Sequence, residues 1–194
     1  NMGRARTVSY WGYAAWEITS NANYSAVANT YGIVGAGERS NSQFQYSTPD
    51  FGGFQANLGN VFKADNANAA KYDLSATYLN GPVAVGASYN KTKGSKANWA
   101  VGGKYTFGNF ALATSYNDSR TLANSSQRSG VSLGGAASFG ATTLTLDVTR
   151  DTKHQLGEVK LKKYTNAVFE AKYALSKRTS VYGNFLRLDS TNNY

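Results

Sequence analysis

The sequence has no cysteine, two prolines, one histidine and one methionine among its 194 residues. Without cysteine there is no disulfide scaffold and no thiolate metal site. The lone His154 cannot complete the usual zinc ligand set, so neither a metal nor a cofactor is expected. Long apolar runs are missing as well. No stretch approaches the ~18 residues that a membrane helix needs, and mean hydropathy is negative. A helical membrane protein is thereby excluded. A strand barrel is not, because each lipid-facing residue in such a strand alternates with a polar residue facing the lumen. No basic stretch followed by an apolar core marks a signal peptide. The chain opens on what reads as mid-protein sequence, which predicts a piece of a longer protein.

Charge of one sign is scarce: Lys and Arg number 20 against 11 Asp and Glu, a formal net charge of +9. Such a balance suits nucleic acid, an acidic membrane surface or an anion pathway. Lys63, Lys71, Lys104, Arg128, Lys172 and Arg187 fall in different segments, and only Lys160 to Lys163 form a local cluster. A nucleic-acid footprint is a patch or stripe, so no nucleic-acid partner is expected. Catalytic readings fail on context. Asp151 and His154 are loop neighbours, which is no evidence of triad geometry. The Gly-x-Gly of "GIVGAGERS" (32–40) follows no strand and opens no helix, so the dinucleotide fingerprint fails. No enzyme is expected.

What is present is alternation. In "RSNSQFQYSTPDFGGFQANLG" (39–59), Phe44, Tyr46 and Thr48 oppose Gln43, Gln45 and Ser47; Phe54, Ala56 and Leu58 oppose Gln55, Asn57 and Gly59. The same rhythm continues through Tyr72, Leu74, Ala76 and Tyr78, then through 83–89, 98–107, 110–116, 131–139, 144–148 and 165–173. Only the last stretch, 181–188, is ambiguous in parity. A period of two held over about ten segments predicts strands rather than helices. The connections alternate in length. "DFGGF" (50–54), "NGP" (80–82), "FGN" (107–109), "FGAT" (139–142) and "LSKRT" (175–179) are short. The polar stretches 63–69, 90–98, 117–130 and 150–163 are long. An up-and-down outer-membrane barrel has this asymmetry. Aromatic residues near strand ends, Tyr72, Tyr78, Tyr89, Trp99, Phe107, Phe110, Tyr116, Phe139 and Tyr173, share the apolar parity and predict interfacial girdles. A β-sandwich also collects aromatics on its buried faces, but seldom keeps strict hairpin order.

Residues 1–40 break the pattern. Trp11, Ala14, Ala15 and Ile18 share one face at helical spacing, which predicts a short helix. The remainder, rich in Asn, Ser, Gly and Tyr, reads as a long folded loop, and a loop of this length in a regular barrel is functional or disordered.

At this point the residues resemble a known family. "ERSNSQFQYSTPDFGGF" (38–54) resembles the strand, turn and strand that follow the constriction loop of general, trimeric Gram-negative porins. "MGRA" (2–5) resembles the strand end leading into that loop. "GKYTFGN" (103–109) and "YALSKRTSVYGNF" (173–185) resemble later strands, most closely those of the beta-proteobacterial, often anion-selective branch. The resemblance implies an all-β fold, a transmembrane antiparallel up-and-down β-barrel of 16 strands in the full protein. About ten of these would lie here, with an inward-folded constriction loop. Residues 1–40 would be the end of a strand plus that loop, and 41–194 barrel strands and loops. The implied function is a water-filled outer-membrane channel for small hydrophilic solutes and ions, working as a homotrimer in contact with lipid bilayer and lipopolysaccharide. An adhesin or receptor barrel is an alternative, and a soluble all-β binding module is another.

For the constriction, Arg4 matches the Arg of the family's Gly-Arg before the loop, and Arg39 a basic residue just before the next strand. Arg6 has no definite counterpart. Cation-selective relatives set several loop carboxylates against the basic wall, whereas this loop has only Glu17 and Glu38, so an anion preference is expected. Two readings stand for Arg39, ion selection or anchoring of the loop through carbonyls or Glu38. Two also stand for Glu17, selection or pinning. Trp11 and Trp16 read as loop packing ahead of a sugar-stacking surface. By strand parity Lys71, Asp73, Lys104, Arg128, Asp147, Glu170 and Lys172 are expected on the lumen wall, and Lys160, Lys162 and Lys163 on an outer loop facing solvent or lipopolysaccharide.

Overall fold

The computed structural model describes residues 2–32, 35–66, 68–120 and 126–189. In chain order the elements are β1 (Met2–Arg6), α1 (Val8–Ala14), α2 (Ala26–Tyr31), β2 (Arg39–Ser47), β3 (Phe54–Val61) and β4 (Lys71–Asn80). There follow β5 (Val83–Thr92), β6 (Asn98–Phe107), β7 (Phe110–Arg120), β8 (Ser126–Phe139), β9 (Thr142–Leu156), β10 (Val159–Lys160), β11 (Thr165–Ala174) and β12 (Ser180–Arg187). All strands join one antiparallel sheet in sequence order, except that β11 passes the two-residue β10 to pair with β9. Among the described residues β1 and β12 end the sheet without pairing to each other, so it is an open arc rather than a closed barrel. Apart from β10, ten strands follow the opening segment, as the alternation predicts.

Two-residue turns close the hairpins at one end, with Asn80 paired to Val83, Phe107 to Phe110 and Phe139 to Thr142. Gly81, Gly108 and Gly140 each take a positive φ there, the backbone state that tight hairpins need and that glycine adopts without steric cost. The opposite end carries the longer connections. Two stretches expected as loops are largely strand: β7 continues to Arg120, β8 begins at Ser126, and β9 runs to Leu156. Ladder hydrogen bonds are made by the backbone, so a polar side-chain run above an apolar band does not end a strand. Residues 121–125 of the expected 117–130 loop, Ala67 of the 63–69 loop, and 33–34 of the Gly-x-Gly stretch lie outside the described residues.

The apolar parity forms one bare face. Phe44, Tyr46, Leu58, Leu74, Val101, Leu112, Leu133, Leu146 and Phe169 are all exposed on it. Aromatic rings gather at its two margins. Register places Phe54 beside Tyr78 and Phe107 beside Phe110 near the short turns, and Tyr89 beside Trp99 near the long connections. Trp99 stacks on Tyr116 at 5.2 Å, which leaves Tyr116 half-buried rather than exposed like the other expected girdle rings. Trp99 and Phe107 lie eight positions apart, roughly 26 Å of strand, with Val101 between them and Leu112, Leu133 and Leu146 exposed on the neighbouring strands. The stripe 180–187, ambiguous in sequence, is an almost wholly exposed terminal strand.

The opposite, polar face is covered by residues 7–38, which leave from the long-connection end. Helix α1 lies against β3 to β6, and α2 against β7, β8, β9 and β11. Each helix is too short to be stable in isolation. Capping and packing hold them: Thr7 Oγ1 accepts from the Tyr10 N–H, Ser25 Oγ accepts from the Ala28 N–H, and Gly32 closes α2 in the left-handed conformation. Tyr10, Tyr13, Trp16, Val27 and Tyr31 pack with Ala100 of the sheet into the apolar core. The expected helix exists, but its buried face is Ser9, Gly12, Tyr13 and the following Trp16, while Trp11 is exposed. Helix α2 was not expected, since its Asn, Thr and Ala show no apolar stripe.

Candidate functional site

Glycines on the polar parity make the seat for the covering segment. A Cβ on Gly86 of β5 would lie 2.0 Å from the Gly12 carbonyl oxygen, and one on Gly102 of β6 would lie 2.5 Å from the Trp16 ring. Gly59 meets Val8 and Gly134 meets Ile18 in the same way. The sheet gives up side chains along this track so that a helix and a loop can lie directly on its backbone.

Polar side chains beside the track tie the segment down. Asp73 accepts from the Ser9 N–H (2.9 Å) and from the Ser9 hydroxyl. Asn90 donates to Ser9 Oγ (3.0 Å) and accepts from Asn98 (2.8 Å). Lys71 donates to the Ala36 carbonyl (2.9 Å) and Lys104 to the Glu17 carbonyl (3.2 Å). Farther along, Thr30 meets Thr149 at 2.9 Å and accepts from Asn166 at 2.8 Å, and the Tyr24 hydroxyl donates to Glu170. Burial pushes the Tyr13 hydroxyl well above the ordinary tyrosine range, with the Glu17 charge adding to it. Burial likewise raises Tyr31, aided by the Asp151 carboxylate. Both phenols are thus held neutral within the segment.

The residues expected at the constriction separate into two groups. Arg6 of β1 and Arg39 of β2 are register partners, and Glu38 sits between their guanidinium groups at 3.6 and 3.7 Å. Arg4, at a break in the β1–β2 register, is exposed and donates to Asn41 Oδ1 (2.9 Å). Arg6 also lies over the Tyr10 ring, 4.3 Å from its centroid. Arg6 and Arg39 therefore share one carboxylate at the root of the segment, and Arg4 on β1 is held by an amide instead. Glu17 lies elsewhere: it is 2% exposed, accepting from the Thr19 hydroxyl and the Asn21 N–H, both at 2.6 Å.

The expected lumen-wall residues all lie on the covered face, but most are buried rather than water-lined. Lys71, Asp73, Asp147 and Glu170 are buried beneath the segment. Arg128 and Asp151 form a buried ion pair at 2.9 Å, with side chains 2% and 0% exposed. Lys104 and Lys172 are half-buried. The sequence reading placed these residues by strand parity alone and did not reckon with the area the segment occupies. It also missed Ser9, Asn90, Thr30 and Asn166 as ties. Their one sequence signal is a small or amide side chain on the polar parity.

On the short-turn side of α1 a cavity of about 680 Å³ opens between the segment and the sheet, lined by Trp11, Ala14, Gln45, Gln55, Asn57 and Thr77. Gln45, Ser47, Gln55, Asn57 and Thr77 give it polar groups, and Ala14, Tyr46, Leu79 and the exposed Trp11 indole give it apolar ones. Among the described residues no group of His, Cys, Asp and Glu is placed to hold a metal ion.

Solved structures share this architecture. An anion-selective porin from Comamonas acidovorans superposes with a TM-score of 0.76 at 22% identity, covering 94% of this chain and 61% of that one. OmpT of Vibrio cholerae in its trimer form gives 0.72 at 19% identity, covering 96% and 64%. Salmonella typhi OmpF in complex with daunomycin gives 0.72 at 18%, covering 97% and 67%. The chain thus spans about three-fifths of the Comamonas protein. A search of curated proteins finds no match. The family described as Gram-negative porin matches over residues 1–193. The inverted polarity of the sheet, its aromatic margins, the segment laid on its polar face and this match agree that the chain belongs to the Gram-negative porin family of the outer membrane.

Proposed function

We propose that the protein forms a water-filled diffusion channel for small hydrophilic solutes and ions, narrowed by residues 7–38 and biased toward anions. The observation that carries this reading is the distribution of the two faces. The apolar face is bare over its whole extent, while the polar face holds a tied-down segment with an open, partly polar cavity beside it. A bare apolar sheet suits lipid, and a polar wall beside an inserted segment suits a narrowed aqueous path.

Anion preference rests on Arg4, Arg6 and Arg39 against Glu38. Clusters of one charge set ion preference in a pore. A unit charge at about 4 Å contributes ~1 kcal/mol in bulk water and ~4 kcal/mol at an effective dielectric of 20. About 1.4 kcal/mol is a tenfold ratio, so two uncompensated arginines suffice for clear selection. The Comamonas relative is itself anion-selective. Trimerisation is part of the proposal, supported by the trimer form of the Vibrio relative.

The test is the reversal potential of the full-length protein in a planar bilayer under a KCl gradient, with Arg39→Ala beside it. A potential on the chloride side that moves toward zero in the variant supports the reading. A potassium-side potential contradicts the selectivity, and absence of conductance from folded protein turns the assignment to an adhesin or receptor.

A further inference from the structure

A second cavity, of about 300 Å³, opens at the long-connection end, where the segment returns to β2. Its charged lining is Arg39, Lys71, Lys96 and Arg120, with Asn98 and Ser95 between them. Among the described residues no carboxylate lines it. Arg39 is paired with Glu38 and Arg120 with Asp118 (3.0 Å), while neither Lys71 nor Lys96 forms an ion pair among the described residues. Four cations stand against three nearby carboxylates, Glu38, Asp118 and, two residues from Lys71 on β4, Asp73, which leaves an excess of positive charge among the described side chains. Lys71 is 7% exposed, and its hydrogen bond to the Ala36 carbonyl fixes the side-chain nitrogen at the floor of the cavity. Among the described residues the buried Arg120 Nε–H has no acceptor. A buried donor left without a partner costs about 1–3 kcal/mol, which a bound acceptor would relieve. Asn98 donates to Asn90 through its amide nitrogen, and its Oδ1 accepts from the Arg120 N–H, so the cavity wall between β6 and β7 is pinned.

We propose that this cavity is a binding site for a small doubly charged oxyanion, phosphate or sulfate in form, beside the mouth of the channel. The excess of positive charge favours an anion and disfavours a cation. Fixed lysine and arginine donors with two or three free N–H directions suit an oxyanion that accepts from several sides. A halide, with one charge and no oxygen acceptors, gains about half the attraction. The site rests on the channel reading only for its access from water, since binding itself needs no conductance.

The test uses full-length protein in bilayers of zwitterionic lipid, with sulfate as the fixed-charge probe and inorganic phosphate as the second. Sulfate added on the long-connection side is expected to reduce chloride current with saturation. Lys96→Gln combined with Arg120→Gln is expected to raise the half-blocking concentration at least tenfold, with the reversal potential for KCl unchanged. Calorimetric titration of detergent-folded protein gives the same comparison without conductance, and the heat stability of the folded form checks that the variant folds. If the oxyanion comes from a lipid headgroup instead, free sulfate gives no saturable heat while anionic lipid added to the detergent does. Saturable binding lost in the double variant supports the site even if the pore proves cation-selective. Binding of sulfate that the double variant leaves intact, or no saturable binding of either source, overturns it, and a chloride-side reversal potential would then still stand.

Discussion

At the residue scale the account rests on places where a side chain is withheld. Gly86 and Gly102 lie under Gly12 and Trp16 with no room for a Cβ, whereas Gly183 on β12 has nothing within 4 Å. Overpacking a filled site costs about 1–3 kcal/mol. Gly102→Val is therefore expected to lower thermal stability in detergent by that amount and to expose the Trp16 indole, seen as a red shift in fluorescence. Gly183→Ala serves as a control within ~0.5 kcal/mol. A second residue-level prediction concerns Arg128 and Asp151. Removing one partner of a buried pair costs about 3–5 kcal/mol, so Asp151→Ala should reduce the free energy of unfolding in guanidinium by this order. Mutating the exposed pair Arg187 and Asp189 should change it by no more than ~1 kcal/mol. Sequence made the glycines countable but not their purpose. On a polar parity a glycine looks like a tolerated small residue, and only the chain lying on it reveals the need.

At the scale of elements, strands were legible, whereas the covering segment was legible in its extent and one short helix but not in its packing. Alternation fixes which side of a strand each residue takes, so the bare face of β4 or β6 follows from Tyr72 and Leu74 or from Trp99 and Val101 alone. Helices α1 and α2 have no comparable signature. Residues such as Tyr13 and Thr30 are buried against a polar sheet, so hydroxyls and amides do the work that aliphatic side chains do in an ordinary core. Of the residues at apolar spacing, Trp11 is exposed, while Ala14 and Ala15 pack on the core and Ile18 on Gly134. The segment carries its own pH dependence. Tyr13 and Tyr31 have hydroxyls raised above the unfolded value, so their neutral forms stabilise the packed segment. That contribution is complete below about pH 10 and is lost as pH rises past it, because the released or unfolded chain ionises first. Tyr13→Phe, which removes one such phenol and its 2.9 Å bond to Ser25, should flatten the alkaline loss of stability. Phenolate absorbance and thermal unfolding between pH 8 and 12 read this directly. An unchanged alkaline slope would mean that Tyr13 is not packed as described.

At the scale of the whole molecule the sheet is a wall with one bare apolar face and one polar face, and residues 7–38 lie on the polar side. Charge divides as well: Arg4, Arg6 and Arg39 stand at the root of the segment, while Glu17 is buried within it. Parity predicted the lumen wall, but the segment's cover leaves much less of that wall in contact with water. The central claim is that this segment narrows the channel. Its most direct measurement is the single-channel conductance of the full-length protein with residues 8–31 replaced by a short Gly-Ser bridge, folding being checked by heat stability. The account predicts unitary steps at least about twofold larger than those of the parent, with weaker discrimination between chloride and potassium, since charge selection needs close approach. Steps of unchanged size and selectivity from a folded variant would contradict it.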